Sequence, residues 1–236
     1  LNFYFLKDEL PFGKNFSSLQ SHFSKVHRSY DDYRKQPCYV GYFHNYKVTS
    51  YTHEIKFEGS IAKYFFGNNI QTLNRSTLKD AIVKFCEELN LNPKKAHVRR
   101  IDVSDNFEVQ HPVASYFPAL HYARKYHRVN QYVDEGSLYY MQKNKKMLFY
   151  DKLKQLEDTN TLLPENLQIS NGTNLLRYEF SIFKCPTGQL KLNVPLTLDM
   201  MYDETIYNAL IDKWESSFLN VGHAIMLPMK RNIPTK

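Results

Sequence analysis

The chain has 236 residues, 42% of them hydrophobic, which is enough to bury a core and excludes global disorder. Lys and Arg number 31 against 24 Asp and Glu, a formal net charge of +7. No apolar run approaches the roughly 20 residues that span a bilayer, so no membrane association is expected. Cys38, Cys86 and Cys185 are odd in number, far apart and without metal-ligand spacing, which argues against a disulfide framework or a zinc finger and fits a reducing cytosol.

A basic balance points first to a polyanionic partner, nucleic acid above all. Aromatic residues make up 15% of the chain, with 18 Tyr and 16 Phe. Two readings of them stand level: stacking on the bases of single strands, or plain filling of strands. The opening LNFYFLKDEL has neither a basic region nor a small-residue cleavage site, so no secretory signal is expected. The first residue is Leu, and a natural protein longer at the N-terminus is expected.

LNFYF itself predicts a strand, and Tyr39 to Tyr46 and Val48 to Phe57 predict two more from their β-branched and aromatic content. In the latter, Tyr51, His53, Ile55 and Phe57 alternate with Thr52, Glu54 and Lys56. A short helix to about Phe66 comes next, then an amphipathic helix from Ser76 to about Asn90 with Leu78, Ile82, Phe85, Cys86 and Leu89 at helical spacing. His97 to Val109 predicts a strand with Arg100, Asp102 and Ser104 on one face, and Pro112 to Arg128 a helix disturbed by Pro118. Ser137 to Met141 and Met147 to Asp151 form a hairpin about the loop QKNKK, residues 152–169 are partly helical, and Asn174 to Phe183 alternates as a strand. Tyr202 to Leu219 carries a helical stripe of Ile206, Leu210, Ile211, Trp214 and Phe218. The order predicts one α+β domain over 1–236, a mainly antiparallel sheet with helices packed on one face.

No phosphate-binding G-x-x-x-x-G-K-[ST], no G-x-G-x-x-G, no H-E-x-x-H and no His-x-His is present. What remains is a set of charged residues at mid-strand positions: Glu54 and Lys56, Arg100 and Asp102, Tyr150 with Lys152, and Arg177 with Glu179. Each taken singly is the ordinary case of a charged residue on a wet strand face. Together, Glu54, Asp102 and Glu179 have the chemistry to hold a hard divalent cation, which takes oxygen ligands and polarises a phosphate.

At these strands the sequence resembles the replication initiators of filamentous phages, the gene II/gene X family. It is more distantly similar to rolling-circle plasmid initiators of the staphylococcal transfer type. The resemblance rests on HEIKFEGSIAKYFFGNN (53–69), RRIDVSDNF (99–107), SLYYMQKNKKMLFYDKLKQ (137–155) and NLLRYEFSIF (174–183), in that order. It implies a rolling-circle Rep-like nickase that cuts one strand of origin DNA, joins a tyrosine to the 5′ phosphate and leaves a 3′-OH primer, with later rejoining. The family's nicking tyrosine maps onto Tyr150. Its R-I-D segment maps onto Arg100, Ile101 and Asp102, its E-I-K segment onto Glu54, Ile55 and Lys56, and its R-[FY]-E segment onto Arg177, Tyr178 and Glu179. A divalent metal, Mg²⁺ or Mn²⁺, is implied; Glu54, Asp102 and Glu179 are its expected ligands by their acidity.

Granting that chemistry, Lys152 and Lys56 are the candidate cations for the phenolate and for charge on the phosphoryl oxygens. Arg100 and Arg177 either hold the carboxylates or grip the DNA backbone. Lys143, Lys145 and Lys146, with Arg124, Lys125, His127 and Arg128, are candidate DNA contacts or simply a solvated charged surface. Tyr139 and Tyr140 either stack bases or pack. The expected partners are origin DNA, duplex with a single-stranded or hairpin nick site, and a host helicase and polymerase in the cytoplasm of a bacterial host. The alternatives are a non-catalytic DNA-binding regulator or single-strand binder derived from such an initiator, and a metal nuclease that uses water.

Overall fold

The computed structural model describes residues 1–10, 17–120, 122–129, 136–159, 161 and 172–222. The chain divides into two compact units. One comprises Leu1–Ile101 and Lys184–Asn208, the other Asp102–Phe183 and the described residues from Ala209 on. The division crosses the chain inside one strand, after Phe183 in a loop, and inside one helix.

The first unit is built on β1 (Asn2–Leu6), β2 (Ser24–Asp31), β3 (Gln36–Phe43), β4 (Tyr46–Ser50), β5 (Glu54–Glu58) and the opening residues of β6 (His97–Val109). Their order is β2-β3-β4-β5-β1-β6, every neighbour antiparallel. Alternation in β1 and β5 sends Phe3, Phe5, Ile55 and Phe57 to the buried face. Helix α1 (Ser17–Gln20) lies between β1 and β2, and α2 (Ile61–Phe66) and α3 (Arg75–Glu88) lie between β5 and β6. α3 presents Leu78, Ala81, Ile82, Phe85 and Cys86 to the core. Phe85 meets Phe3 at 5.4 Å, Tyr46 at 4.9 Å and Phe57 at 5.6 Å between ring centroids. Gly59 is required beneath this cluster, since a Cβ there would lie 2.7 Å from the Tyr46 ring. The cap of α3 is Asn74, whose side chain accepts the Thr77 N–H at 2.9 Å, two residues before the expected Ser76.

The second unit contains the rest of β6 with β7 (His127–Val129), β8 (Ser137–Met141), β9 (Lys145–Asp151) and β10 (Asn174–Ile182), in the order β6-β10-β9-β8-β7. The pairs β10–β9, β9–β8 and β8–β7 are antiparallel. One face buries Leu138, Tyr140, Met147, Phe149, Tyr178 and Phe180. The later part of a long helix covers it. With α4 (Lys152–Asp158) and α5 (Pro186–Gln189) preceding it, that helix is α6 (Glu204–Gly222). Its Trp214 lies 5.3 Å from the Tyr178 ring, which stacks on Phe149 at 4.7 Å. An α+β architecture with antiparallel sheet and helices on an apolar face is what the sequence predicts.

Further expectations change. The strand expected over Tyr39–Tyr46 ends at Phe43, and Tyr46 opens β4. The run Val48–Phe57 is two strands: the Tyr51 N–H donates to the Glu54 carbonyl at 2.9 Å and closes a turn at Thr52-His53. The helix expected over 112–128 is a short 3₁₀ turn, Val113–Tyr116, with β7 at the far end. Pro118 has no N–H to donate to a continuing helix. Of the helix expected within 152–169, α4 ends at Asp158, and 162–169 lie outside the described residues.

Candidate active site

Cross-strand register assembles a polar face in the second unit. Tyr150 on β9 pairs with Arg177 on β10 and with Ser137 on β8; Leu148 pairs with Glu179 and Tyr139, and Lys146 with Ser181 and Met141. Antiparallel partners share a face, so Tyr150, Lys146, Arg177, Glu179, Ser181 and Tyr139 lie opposite the buried Phe149 and Tyr178. β6 adds Asp102, Ser104 and Asn106. The Ser181 hydroxyl donates to Asp102 Oδ1 at 2.6 Å. Arg177 Nη2 donates to Ser104 Oγ at 2.5 Å and Nη1 to Asn106 Oδ1 at 3.1 Å.

Arg177 is buried, and its guanidinium is therefore a fixed charge: side chains of β6 orient its fork, and Glu179 Oε2 lies 3.9 Å from Nε. Tyr150 is half-buried rather than sealed in the core. Burial pushes its phenol up to about 12; Arg177 opposes that shift, while Glu179 and Tyr139 add to it. Lys152 is fully buried, with Nζ 6.0 Å from the centre of the Tyr150 ring and donating to Gln155 Oε1 at 2.6 Å. It is not a strand residue sharing the Tyr150 face, as its spacing suggests. Asp151 ends the strand and caps α4, accepting the N–H groups of Leu153 and Lys154 at 3.0 and 3.1 Å, so Lys152 opens the helix. The four-carbon stem of Lys152 nonetheless carries its ammonium near the phenol ring.

In the first unit, Glu54 is held by Arg34 Nη2 at 2.9 Å and by both terminal nitrogens of Arg99 at 3.4 Å. Lys56 pairs with Glu58 at 2.8 Å. Arg100 is half-buried on β6 opposite Asn2. Among the described residues no group of three or more His, Cys, Asp or Glu side chains is gathered to hold a metal ion. Glu54 is neutralised by two guanidiniums in the first unit; in the second, Asp102 accepts the Ser181 hydroxyl and Glu179 lies beside Arg177.

The basic candidates fall in different settings. Lys143 is exposed in the β8–β9 turn, and Lys146 lies on the Tyr150 face with Nζ 5.8 Å from the Tyr139 ring. Lys145 points the other way; burial, then Lys213, lower its pKa. Arg124 is exposed in a turn, whereas Arg128 donates to the Phe117 carbonyl at 3.2 Å. Tyr140 is buried and its hydroxyl donates to the Leu120 carbonyl, so of the pair Tyr139-Tyr140 only Tyr139 is on the polar face. The sequence assigns nothing to Asn106 or Gln155, and gives Ser104 and Ser181 a face without a role. The alternation of DVSDN was the available signal for Ser104 and Asn106.

The polar sheet face thus pairs a half-buried phenol, Tyr150, with a buried guanidinium, Arg177. Charge and architecture together define the class: a basic α+β protein with a polar face on an antiparallel sheet. The family model for the N-terminal part of the replication-associated gene II protein of phages matches residues 10–200. The chain belongs to this family, the gene II-like phage replication initiators. No curated protein and no solved structure matches it. Among the described residues no helix is long and apolar enough to cross a membrane.

Proposed function

We propose that the protein starts rolling-circle replication by nicking one strand of phage or plasmid origin DNA with Tyr150. The phenol oxygen attacks the phosphorus, the bond from phosphorus to the 3′ oxygen breaks, and the phenol's proton is taken up by the departing oxygen. The products are a 5′-phosphotyrosine link and a 3′-OH primer. Because the phosphodiester's energy is kept in the new bond, no ATP motif is needed, and the reverse reaction rejoins the strand. The pairing of Tyr150 with Arg177 on the polar face, in a family of replication initiators, carries this reading. Arg177 stabilises the phosphoryl oxygens, and Lys152, with Nζ 6.0 Å from the centre of the Tyr150 ring, is a second cation near the phenol. Lys56, committed to Glu58, takes no step. A requirement for Mg²⁺ or Mn²⁺ belongs to the proposal, as do a host helicase and polymerase as partners in the bacterial cytoplasm.

Supercoiled DNA bearing the cognate origin, incubated with the protein and Mg²⁺ or Mn²⁺, should yield relaxed circles covalently bound to protein. Tyr150→Phe should form none while still binding the duplex. Omission of the divalent ion decides the metal requirement separately. A second reading, a non-catalytic DNA-binding derivative, draws on the net charge of +7. It requires salt-sensitive binding and no adduct with any metal.

A further inference from the structure

The β2–β3 hairpin of the first unit carries solvent-facing rings that the nicking chemistry does not use. Tyr30, Tyr33 and Tyr39 are 54%, 96% and 49% exposed. Arg28 opposes Tyr39 and Tyr30 opposes Pro37, which puts Arg28, Tyr30 and Tyr39 on one face of the hairpin. Arg28 and Tyr39 also line a cavity of about 460 Å³ together with Lys7 and Tyr51. Lys25 and Lys35 add positive charge along the hairpin. Its acidic residues are Asp31 and Asp32, and Asp31 is engaged by the Tyr51 hydroxyl at 2.5 Å and the Arg34 N–H at 2.9 Å.

The edge itself is poorly suited to adding another strand. β2 breaks register between Ser24 and His27, and Lys25 adopts φ 54°, a left-handed kink within the strand. Recognition here is left to rings and cations rather than to backbone pairing. Rings that expose their faces beside Arg and Lys match the chemistry of unpaired nucleotides, whose bases stack on aromatic faces and whose phosphates meet the cations.

We propose that this hairpin binds single-stranded DNA, with bases stacked on Tyr30 and Tyr39 and phosphates held by Arg28 and Lys35. The inference rests on the reading that the chain works on origin DNA, but not on Tyr150 being the nucleophile. The test is fluorescence anisotropy with a labelled single strand of roughly 16 nucleotides and its duplex, on the whole chain. The paired Tyr30→Ala and Tyr39→Ala variant should lose about tenfold or more in affinity for the single strand and keep its duplex affinity. The paired Phe variant, which keeps the rings, should bind within about twofold of wild type. Arg28→Gln should flatten the dependence of log affinity on log salt by ~0.7. Unchanged melting of the Ala variant confirms that folding is intact. Wild-type single-strand affinity in a folded Ala variant overturns the proposal, as does equal loss for single strand and duplex. A hairpin that docks a protein instead gives the first of these results. Loss specific to the Ala variant supports the site even if wild type forms no covalent adduct, and unchanged affinity overturns it even if the adduct forms, so the two readings fail separately.

Discussion

Replacing Arg177 with Gln strikes the group on which the candidate site depends most. The guanidinium is buried and makes charged hydrogen bonds to Ser104 and Asn106. A hydrogen bond to a charged group contributes ~1.5–3 kcal/mol, and the shorter amide of Gln recovers part of the two. The net loss should be about 2–3 kcal/mol, which lowers melting by on the order of 5–10 °C in a chain of this size. Arg177 also opposes the upward shift of Tyr150, so its removal should drive the phenol still higher and make the phenolate scarcer. Nicking loses an electrostatic stabiliser as well, a contribution of roughly 10²–10³ in rate at comparable sites. The assays are a thermal melt and the initial rate of adduct formation on origin DNA, measured below the variant's melting range. Arg177→Lys, which keeps the charge but not the planar fork, should fall between wild type and Gln in both. A folded Gln variant that nicks at the wild-type rate would refute the role given to Arg177.

Other outcomes follow from the same geometry. Because the folded protein raises the pKa of Tyr150, the neutral phenol's contribution to stability is complete below the unfolded value near 10 and is lost as pH rises from there through about 12. The difference in absorbance at 295 nm between wild type and Tyr150→Phe should therefore show no phenolate step by pH 10; a step at pH 10 contradicts the burial argument. Lys152→Met, which removes the ammonium near the ring but keeps an apolar stem, should slow adduct formation more than it weakens origin binding, as measured by rate and by gel shift. Phe85→Ala should cost ~3–5 kcal/mol, because its ring contacts Phe3, Tyr46 and Phe57 at the centre of the first unit; denaturant unfolding reads the loss. Glu54→Gln leaves Arg34 and Arg99 without their shared carboxylate and should destabilise the first unit by about 1–3 kcal/mol.

Strands with one buried face were legible because burial imposes a period of two. The alternation of Phe3 and Phe5 with Asn2, Tyr4 and Leu6 shows this in burial; in Asn174–Ile182 the polar Arg177, Glu179 and Ser181 alternate with Tyr178, Phe180 and Ile182 in chemistry, and Arg177 and Ser181 are buried as well. β2 was not legible: both its faces are largely exposed at a sheet edge, so SKVHRSYD carries no apolar period. The turn at Thr52-His53 has no Gly, Asn or Pro to mark it, and only the Tyr51–Glu54 hydrogen bond reveals it. Lys152 looked like a strand residue because Asp151 serves as both strand end and helix cap, and nothing in YDK says which role prevails. The partners of Glu54 lie 20 and 45 residues away, so its commitment to Arg34 and Arg99 is a tertiary fact that local spacing does not contain.

The most direct measurement is the identity of the residue that carries DNA after nicking. Nuclease trimming and trypsin digestion of the adduct, read by mass spectrometry, should find the nucleotide on MLFYDK, the peptide from Met147 to Lys152 that contains Tyr150. A nucleotide on any other tyrosine peptide, or cleavage that leaves free 5′ phosphate and unmodified protein, would contradict the account.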